Sequence, residues 1–105
     1  MSAFPAPQHP NLGFYTLAGA PESPRDLIDE VIEAERLGLG TAFISERFNI
    51  KEAATLSGAA GAVSHSIDII TGATNHNTRH PIVTASYATT MHRLTGGRFS
   101  LGIGR

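Results

Sequence analysis

The sequence predicts an α/β fold in which parallel strands alternate with helices, as in a TIM (β/α)8 barrel. Short apolar, β-branched segments alternate with longer segments of helical periodicity. The predicted strands open near Gly13, Thr41, Ile67 and Phe99, in steps of 28, 26 and 32 residues. These steps match the size of a repeated strand-helix unit, about 30 residues. Four units make about half of an eight-stranded barrel of roughly 250 residues, so we expect residues 1–105 to be its N-terminal half. A complete, small doubly wound domain is the alternative, although its fourth strand would be uncovered on one face.

The composition argues against several classes of function. Eight basic and nine acidic side chains give a net charge of -1, which disfavours a nucleic acid or an anionic membrane surface as partner. There is no apolar span long enough for a membrane helix and no targeting segment, so we expect a cytoplasmic protein. Without cysteine there is no thiolate nucleophile. No acidic residue follows Asp68, so we expect the later half to tolerate an anionic ligand.

The first strand-helix unit follows an N-terminal segment, residues 1–10, that we expect to be irregular. Residues 11–18 (NLGFYTLA) form the first predicted strand. Ser23 and Pro24 are a predicted N-cap and first helical residue, and Gly38 is the predicted stop of this helix. The acidic face of the helix is interpreted as solvated.

The next units repeat this order along the chain. Residues 41–45 are the second predicted strand, and residues 51–64 are a helix of small side chains that suits close packing on a sheet. Residues 67–71 are the third strand, residues 81–95 the third helix, ended by Gly96 and Gly97, and residues 99–103 the fourth strand.

The polar loop TGATNHNTRHP after the third strand is the strongest candidate for function, because ligands of parallel α/β folds lie beyond the carboxyl ends of strands. A loop that only caps the next helix is the alternative. His76 and His80 have the i, i+4 spacing of a metal pair but no carboxylate neighbour, and we expect no metal. His80 is expected to set the third helix's N-terminus, and Arg79 to pair with a carbonyl or an acid.

Three motifs, ISERFN, TGATNHNTRHP and LTGGRFSLGIGR, together resemble the luciferase-like monooxygenase superfamily, and most closely its members that use the deazaflavin coenzyme F420. The resemblance covers roughly residues 12–105. It implies an eight-stranded β/α barrel whose second half lies outside this chain. It also implies an oxidoreductase that acts on a small organic substrate, and we expect the full-length parent to be a homo-oligomer.

The resemblance also implies roles for particular residues. A non-proline cis peptide at Gly72-Ala73 would back the coenzyme ring. Glu46 would be the catalytic carboxylate, orienting or protonating, with an ion pair to Arg47 or Arg79 as the alternative. Arg47 replaces the His of related enzymes, which favours anchoring over proton transfer. The remaining expected cofactor contacts are Thr74, Asn75, Thr78 and Gly104.

Three functions remain open from the sequence. The first is hydride transfer between F420 and an organic substrate, in which the coenzyme carries the chemistry. The second is an FMN-dependent monooxygenase that uses oxygen. The third is a non-catalytic half-barrel that acts only in interactions, and we expect the isolated fragment to lack turnover. The terminal G-x-G-R, residues 102–105, is only half of a dinucleotide fingerprint.

Overall fold

A computed structural model describes residues 4–104 and confirms the parallel α/β architecture. A four-stranded sheet in the order β1-β2-β3-β5 is parallel throughout, and a separate pair, β4 and β6, is also parallel. The elements are β1 (His9–Tyr15), α1 (Asp26–Arg36), β2 (Leu39–Ile44), α2 (Ala53–Val63), β3 (Asp68–Thr71), β4 (Thr74–Asn75), α3 (Pro81–Leu94), β5 (Phe99–Ser100) and β6 (Ile103–Gly104).

The hydrophobic core lies between the sheet and the helices. Alternate residues of β2, Ala42 and Ile44, are fully buried, whereas Thr41 and Phe43 on the other face are half-buried. Leu27 and Val31 of α1 and Met91 of α3 are buried in the same core as Ala42. The half-buried face is the one that lines the interior of a β/α barrel. Among residues 4–104, no helix has the length and apolar character needed to cross a membrane.

The first strand begins two residues before the predicted position. Residues 9 and 10 were expected to be irregular but belong to β1, and the backbone N–H of His9 donates to the Gly38 carbonyl at 2.8 Å. Gly40 permits this, because a Cβ there would lie 2.3 Å from the Pro10 carbonyl oxygen. Residues 4–8 contain neither helix nor strand, and the first three residues of the predicted irregular segment lie outside the described chain.

Helices α1 and α2 each begin two residues later than the sequence predicts. The Ser23 hydroxyl accepts from the Arg25 N–H at 3.2 Å, so it caps a turn that precedes α1. Before α2, Lys51 is held in a backbone turn with Arg47, and the Glu52 carboxylate becomes the N-cap, accepting from the Thr55 N–H at 2.7 Å.

Helix α3 starts at Pro81 as predicted. The His80 imidazole is its N-cap, with Nδ1 accepting from the Ile82 N–H at 3.1 Å, which confirms the expected role of His80. Gly96 and Gly97 follow the helix with φ of 63° and 90°, the left-handed conformation that favours glycine at a helix end.

The acidic face of α1 is not simply solvated, so that interpretation is wrong for two of its residues. The Glu30 carboxylate accepts from the Leu17 N–H at 2.7 Å. The Glu35 carboxylate accepts three backbone N–H groups, those of His65, Ser66 and Ile67, at 2.8, 2.7 and 3.1 Å. Burial raises the pKa of Glu35, but these donors outweigh it and hold the pKa below its usual value. Both carboxylates therefore tie α1 to loops at the ends of the sheet.

The predicted fourth strand, residues 99–103, is divided into β5 and β6. Between them, the Thr71 hydroxyl donates to the Gly102 carbonyl at 2.9 Å and accepts from the Gly102 N–H at 2.8 Å. We call this pair the Thr71–Gly102 clasp. A Cβ at residue 102 would lie 2.1 Å from the Thr71 carbonyl oxygen, so only glycine fits. The clasp interrupts the ladder of β3 and β5, and pairing resumes as β4 with β6.

Arg98 lies just before β5, at the opposite end of the strand from the polar loop. Its guanidinium donates to the carbonyls of Ile67, Ser64 and Thr95 at 2.5, 3.2 and 3.0 Å. Burial lowers the pKa of Arg98. Since its donors are used by backbone carbonyls, Arg98 does not support the expectation that the later half accepts an anionic ligand.

Candidate functional site

A cleft of about 660 Å³ opens beyond the carboxyl ends of β2 and β3. The loop after β2 forms one wall and the polar loop after β3 forms the other. Every predicted site residue except Gly72 lines this cleft, namely Glu46, Arg47, Ala73, Thr74, Asn75, Thr78 and Gly104. The structure thus brings together residues that are up to 58 positions apart in the sequence.

The Gly72-Ala73 peptide bond is cis, as the resemblance implies. The N–H of Gly72 donates to the Ile44 carbonyl at 2.7 Å. A Cβ at residue 72 would lie 3.8 Å from the Tyr15 hydroxyl and 3.9 Å from the Phe43 ring, so Gly72 faces this aromatic pair on the barrel's interior side. At Gly104, a Cβ would approach that of Ala73 to 2.9 Å, which explains the need for a small residue beside the loop.

The Glu46 carboxylate joins three segments of the chain at the edge of the cleft. Its Oε1 accepts from the Asn75 N–H at 2.8 Å, and its Oε2 accepts from the Ala53 N–H at 2.7 Å. Arg79 donates to both oxygens, through Nη1 at 3.0 Å and Nη2 at 2.6 Å. The ion pair with Arg79 that the sequence left as an alternative is therefore present.

These contacts decide the ionisation of Glu46, whose side chain is only 13% exposed. Burial raises its pKa, but the Arg79 guanidinium and the two backbone N–H groups outweigh burial and lower the pKa to about 2. A carboxylate in this state carries no proton near neutral pH. Of the two roles implied by the resemblance, the geometry favours orienting over donating a proton.

Arg79 is a central residue of the site that the predicted set of site residues omits. Besides Glu46, its Nη1 donates to the Asn75 carbonyl at 3.1 Å, and its Nη2 donates to the Glu52 carboxylate. The guanidinium carbon lies 6.0 Å from the centre of the Tyr87 ring, within the range of a cation–π contact. The hydrogen bonds that Arg79 donates to Glu46 and Glu52 raise the pKa of Arg79 further, although burial opposes them. The expectation that Arg79 pairs with a carbonyl or an acid is confirmed for both.

Tyr87 and Ser57 lie behind the polar loop and were also missed from the sequence. The two hydroxyls are 2.8 Å apart. Burial raises the pKa of Tyr87, while the neighbouring hydroxyls of Ser57 and Thr74 lower it. Thr74 is fully buried, and within residues 4–104 its hydroxyl has no hydrogen bond of normal geometry. A tyrosine that appears as one apolar position of a helix gives no sequence signal for such a contact.

The wall formed by the loop after β2 is a tight turn from Arg47 to Lys51. Their backbones exchange two hydrogen bonds of 2.9 Å, and Asn49 has a φ of 61°. Lys51 Nζ donates to the Leu17 carbonyl and the Ser45 hydroxyl, each at 3.1 Å, and within residues 4–104 it forms no ion pair. The Arg47 side chain is exposed, and in the described chain it forms no ion pair. The alternative pairing of Glu46 with Arg47 is therefore not formed.

The polar loop itself is closed by short-range contacts. The Asn75 side-chain oxygen accepts from the Asn77 N–H at 2.8 Å, and the Thr78 hydroxyl donates to the Asn75 carbonyl at 3.4 Å. His76 Nδ1 lies 2.9 Å from the Gly104 carbonyl oxygen, whereas His80 caps α3, so the two imidazoles have separate partners. Within residues 4–104, no group of three His, Asp or Glu side chains is arranged to hold a metal ion.

Comparison with known proteins identifies the family of this chain. The family model for luciferase-like monooxygenases matches residues 5–105. The 5,10-methylenetetrahydromethanopterin reductase of Methanopyrus kandleri is 30% identical over 83 residues, which are 79% of this chain and 24% of that enzyme. The chain thus spans about a quarter of this relative's length.

Two solved structures show the same fold over most of the chain. The coenzyme F420-dependent tetrahydromethanopterin reductase of Methanopyrus kandleri gives a TM-score of 0.79 at 28% identity, covering 91% of this chain and 27% of that one. The FMN complex of the oxygenating constituent of 3,6-diketocamphane monooxygenase from Pseudomonas putida, a type II Baeyer-Villiger monooxygenase, gives 0.75 at 25% identity, covering 91% and 29%. The chain belongs to the luciferase-like monooxygenase family.

Proposed function

We propose that the full-length protein carrying this chain is an F420-dependent oxidoreductase that transfers a hydride between the deazaflavin coenzyme and a small organic substrate. The observation that carries the proposal is the grouping of the predicted cofactor contacts in one cleft at the carboxyl ends of the strands. The similarity to an F420-dependent reductase supports F420 as the coenzyme.

The residues present fit a planar coenzyme. Gly72 has no side chain, and a Cβ there would meet nothing closer than 3.8 Å, so the backbone offers a flat approach on the interior side. Thr74 supplies a buried hydroxyl without a normal hydrogen bond in the described chain, which is the kind of group that a ligand satisfies. When bound, the deazaflavin would accept or deliver the hydride at its ring.

Each residue of the cleft then has a proposed task. Gly72 and Ala73 support the ring, and Gly104 leaves room for the loop that carries them. Arg47 anchors the coenzyme from the opposite wall, with a guanidinium that has no competing ion pair in residues 4–104. Glu46 orients the site as an ionised carboxylate. Polar contacts to the ring edge come from Thr74, Asn75 and Thr78.

The second candidate is an FMN-dependent monooxygenase of the same family, which the similarity to the FMN complex of a Baeyer-Villiger enzyme favours. A third candidate is a non-catalytic interaction module. In every case we propose a homo-oligomer, because the first turn of α3 exposes the adjacent apolar side chains of Ile82 and Val83. Light scattering of the purified full-length protein tests this.

Binding of F420 and of FMN to the full-length protein, each in oxidised and reduced form, tests the cofactor. We expect tight binding of F420 and weak binding of FMN. Thr74→Val removes the hydroxyl with little change of shape and should weaken F420 binding, whereas Thr90→Val on the exposed side of α3 should not. Preference for FMN would refute the F420 assignment, and binding of neither would favour the interaction module.

A further inference from the structure

We propose that Arg79 is a positioning residue of this site, which holds the polar loop and the start of α2 together through the carboxylates of Glu46 and Glu52. The inference rests on the proposed function in so far as the positioned loop contacts a coenzyme. We call the three residues the Arg79 clamp. Arg79 lines the cleft, but both of its terminal nitrogens are engaged by Glu46, Glu52 and the Asn75 carbonyl, so its effect acts through these groups.

The contacts place the clamp between two walls of the cleft. On the side of the polar loop, Arg79 Nη1 donates to the Asn75 carbonyl at 3.1 Å, and Glu46 accepts from the Asn75 N–H at 2.8 Å. On the side of α2, Glu46 accepts from the Ala53 N–H at 2.7 Å, and Glu52 caps the helix while receiving Arg79 Nη2. Both backbone groups of Asn75 are therefore fixed by the clamp.

The geometry of the clamp requires the guanidinium and not only a positive charge. Its two terminal nitrogens reach the two oxygens of Glu46 at 3.0 and 2.6 Å, which is the paired arrangement that only the planar fork of arginine makes. The Arg79 side chain is 11% exposed, and Tyr87 lies against it. A lysine could keep the charge in this space but could not hold both oxygens.

The clamp also sets the ionisation of the groups around it. The titratable groups that face Glu46 and Arg79 in the described chain are Glu52, from the start of α2, and Tyr87, from α3. With Arg79 in place, the low pKa of Glu46 keeps the carboxylate charged over the range in which enzymes work. Without Arg79, Glu46 loses its largest stabilising partner and should bind a proton at higher pH.

The test uses the full-length protein with Arg79→Gln, Arg79→Lys and, as a matched control, Arg93→Gln, which changes an exposed arginine of α3. At pH 7 we expect Arg79→Gln to raise the Kd for F420 at least about tenfold, because a displaced site loses complementarity. Its binding should also weaken on acidification at a higher pH than in the wild type. Arg79→Lys should show the raised Kd, but the pH at which its binding weakens should shift less than in Arg79→Gln. Arg93→Gln should match the wild type in both.

Hydrogen exchange of the Asn75 and Ala53 amides separates this inference from the proposed function, because it needs no coenzyme. Exchange of both amides should accelerate at least about tenfold in Arg79→Gln and in Arg79→Lys, and should stay unchanged in Arg93→Gln. Unchanged exchange would overturn the positioning role. So would a Kd within twofold of the wild type together with binding that weakens at the same pH as in the wild type. If Arg79→Gln does not fold, Arg79→Lys and Glu52→Gln, whose carboxylate is half exposed, give the same comparison.

Discussion

Replacement of Thr71 by valine tests whether the Thr71–Gly102 clasp holds the polar loop in place. Thr71 is 1% exposed, and valine has its shape but lacks the hydroxyl that makes hydrogen bonds of 2.9 and 2.8 Å to Gly102. The Gly102 carbonyl keeps a second donor, the Thr74 N–H at 2.7 Å. Loss of the hydrogen bond from the Thr71 hydroxyl to this carbonyl therefore costs about 1 kcal/mol. The Gly102 N–H loses the partner that it has in the described chain, at a cost of about 1 kcal/mol for a half-buried group. We expect a total loss of about 2 kcal/mol in the free energy of unfolding.

Equilibrium urea denaturation of the full-length protein measures this loss as a lower midpoint at an unchanged slope. Two further variants separate the hydroxyl from the methyl group. Thr71→Ser keeps both hydrogen bonds and should cost about 1 kcal/mol through the lost methyl alone. Thr90→Val makes the same exchange as Thr71→Val on an exposed helix surface and should change the stability little. The reasoning is refuted if Thr71→Val is as stable as Thr71→Ser or lies within 0.5 kcal/mol, roughly the scatter of a neutral surface change, of the wild type.

Three further predictions concern the same framework. Gly102→Ala should abolish the yield of folded protein, because its Cβ would lie 2.1 Å from a carbonyl oxygen, whereas Gly58→Ala in the open middle of α2 should raise the free energy of unfolding by about 0.5–1 kcal/mol. The pKa of Glu46 falls from 4.5 to about 2 on folding, so the stability that its ionisation supplies is present above pH 4.5 and is lost as the pH falls toward 2. Urea midpoints measured across this range should therefore fall less steeply in Glu46→Gln than in the wild type, and equal slopes would contradict the assignment. Arg98→Met should lower the free energy of unfolding by about 2–3 kcal/mol in the same assay, because it removes donors from three backbone carbonyls, and a loss below about 1 kcal/mol would contradict the buried contacts.

The parts of the fold that follow from local signals were predictable from the sequence. Apolar periodicity predicts the alternation of strands and helices, and His80 followed by Pro81 predicts the start of α3. The cis peptide at Gly72-Ala73 followed from the resemblance and not from the residues themselves. Local signals also placed the polar loop at a strand end, whereas the predicted site residues outside that loop, Glu46, Arg47 and Gly104, followed from the resemblance.

The features that the sequence did not reveal depend on partners distant in the chain. Thr71 meets Gly102 across 31 positions, and Tyr87 meets Ser57 across 30. Nothing in the periodicity of residues 99–103 distinguishes a continuous strand from one divided by a side chain of another strand. In the same way, Glu35 has the helical spacing of a solvated acid, and only the neighbouring loop shows that it binds backbone N–H groups. Charge and hydropathy describe one segment at a time, whereas these contacts join two.

The Thr71–Gly102 clasp and the Arg79 clamp together determine how the polar loop can contact a ligand. The clasp holds the Thr74 N–H through the Gly102 carbonyl, and the Arg79 clamp holds the Asn75 N–H through Glu46. The N–H of Gly72 is bonded to Ile44 in the adjacent strand. From Gly72 to Asn77, the Ala73 N–H alone has no backbone or side-chain acceptor in the described chain. A coenzyme that lies against residues 72–77 would therefore be recognised by a fixed backbone surface and by side-chain groups such as the Thr74 hydroxyl. Such a surface is consistent with a wall that faces a ring.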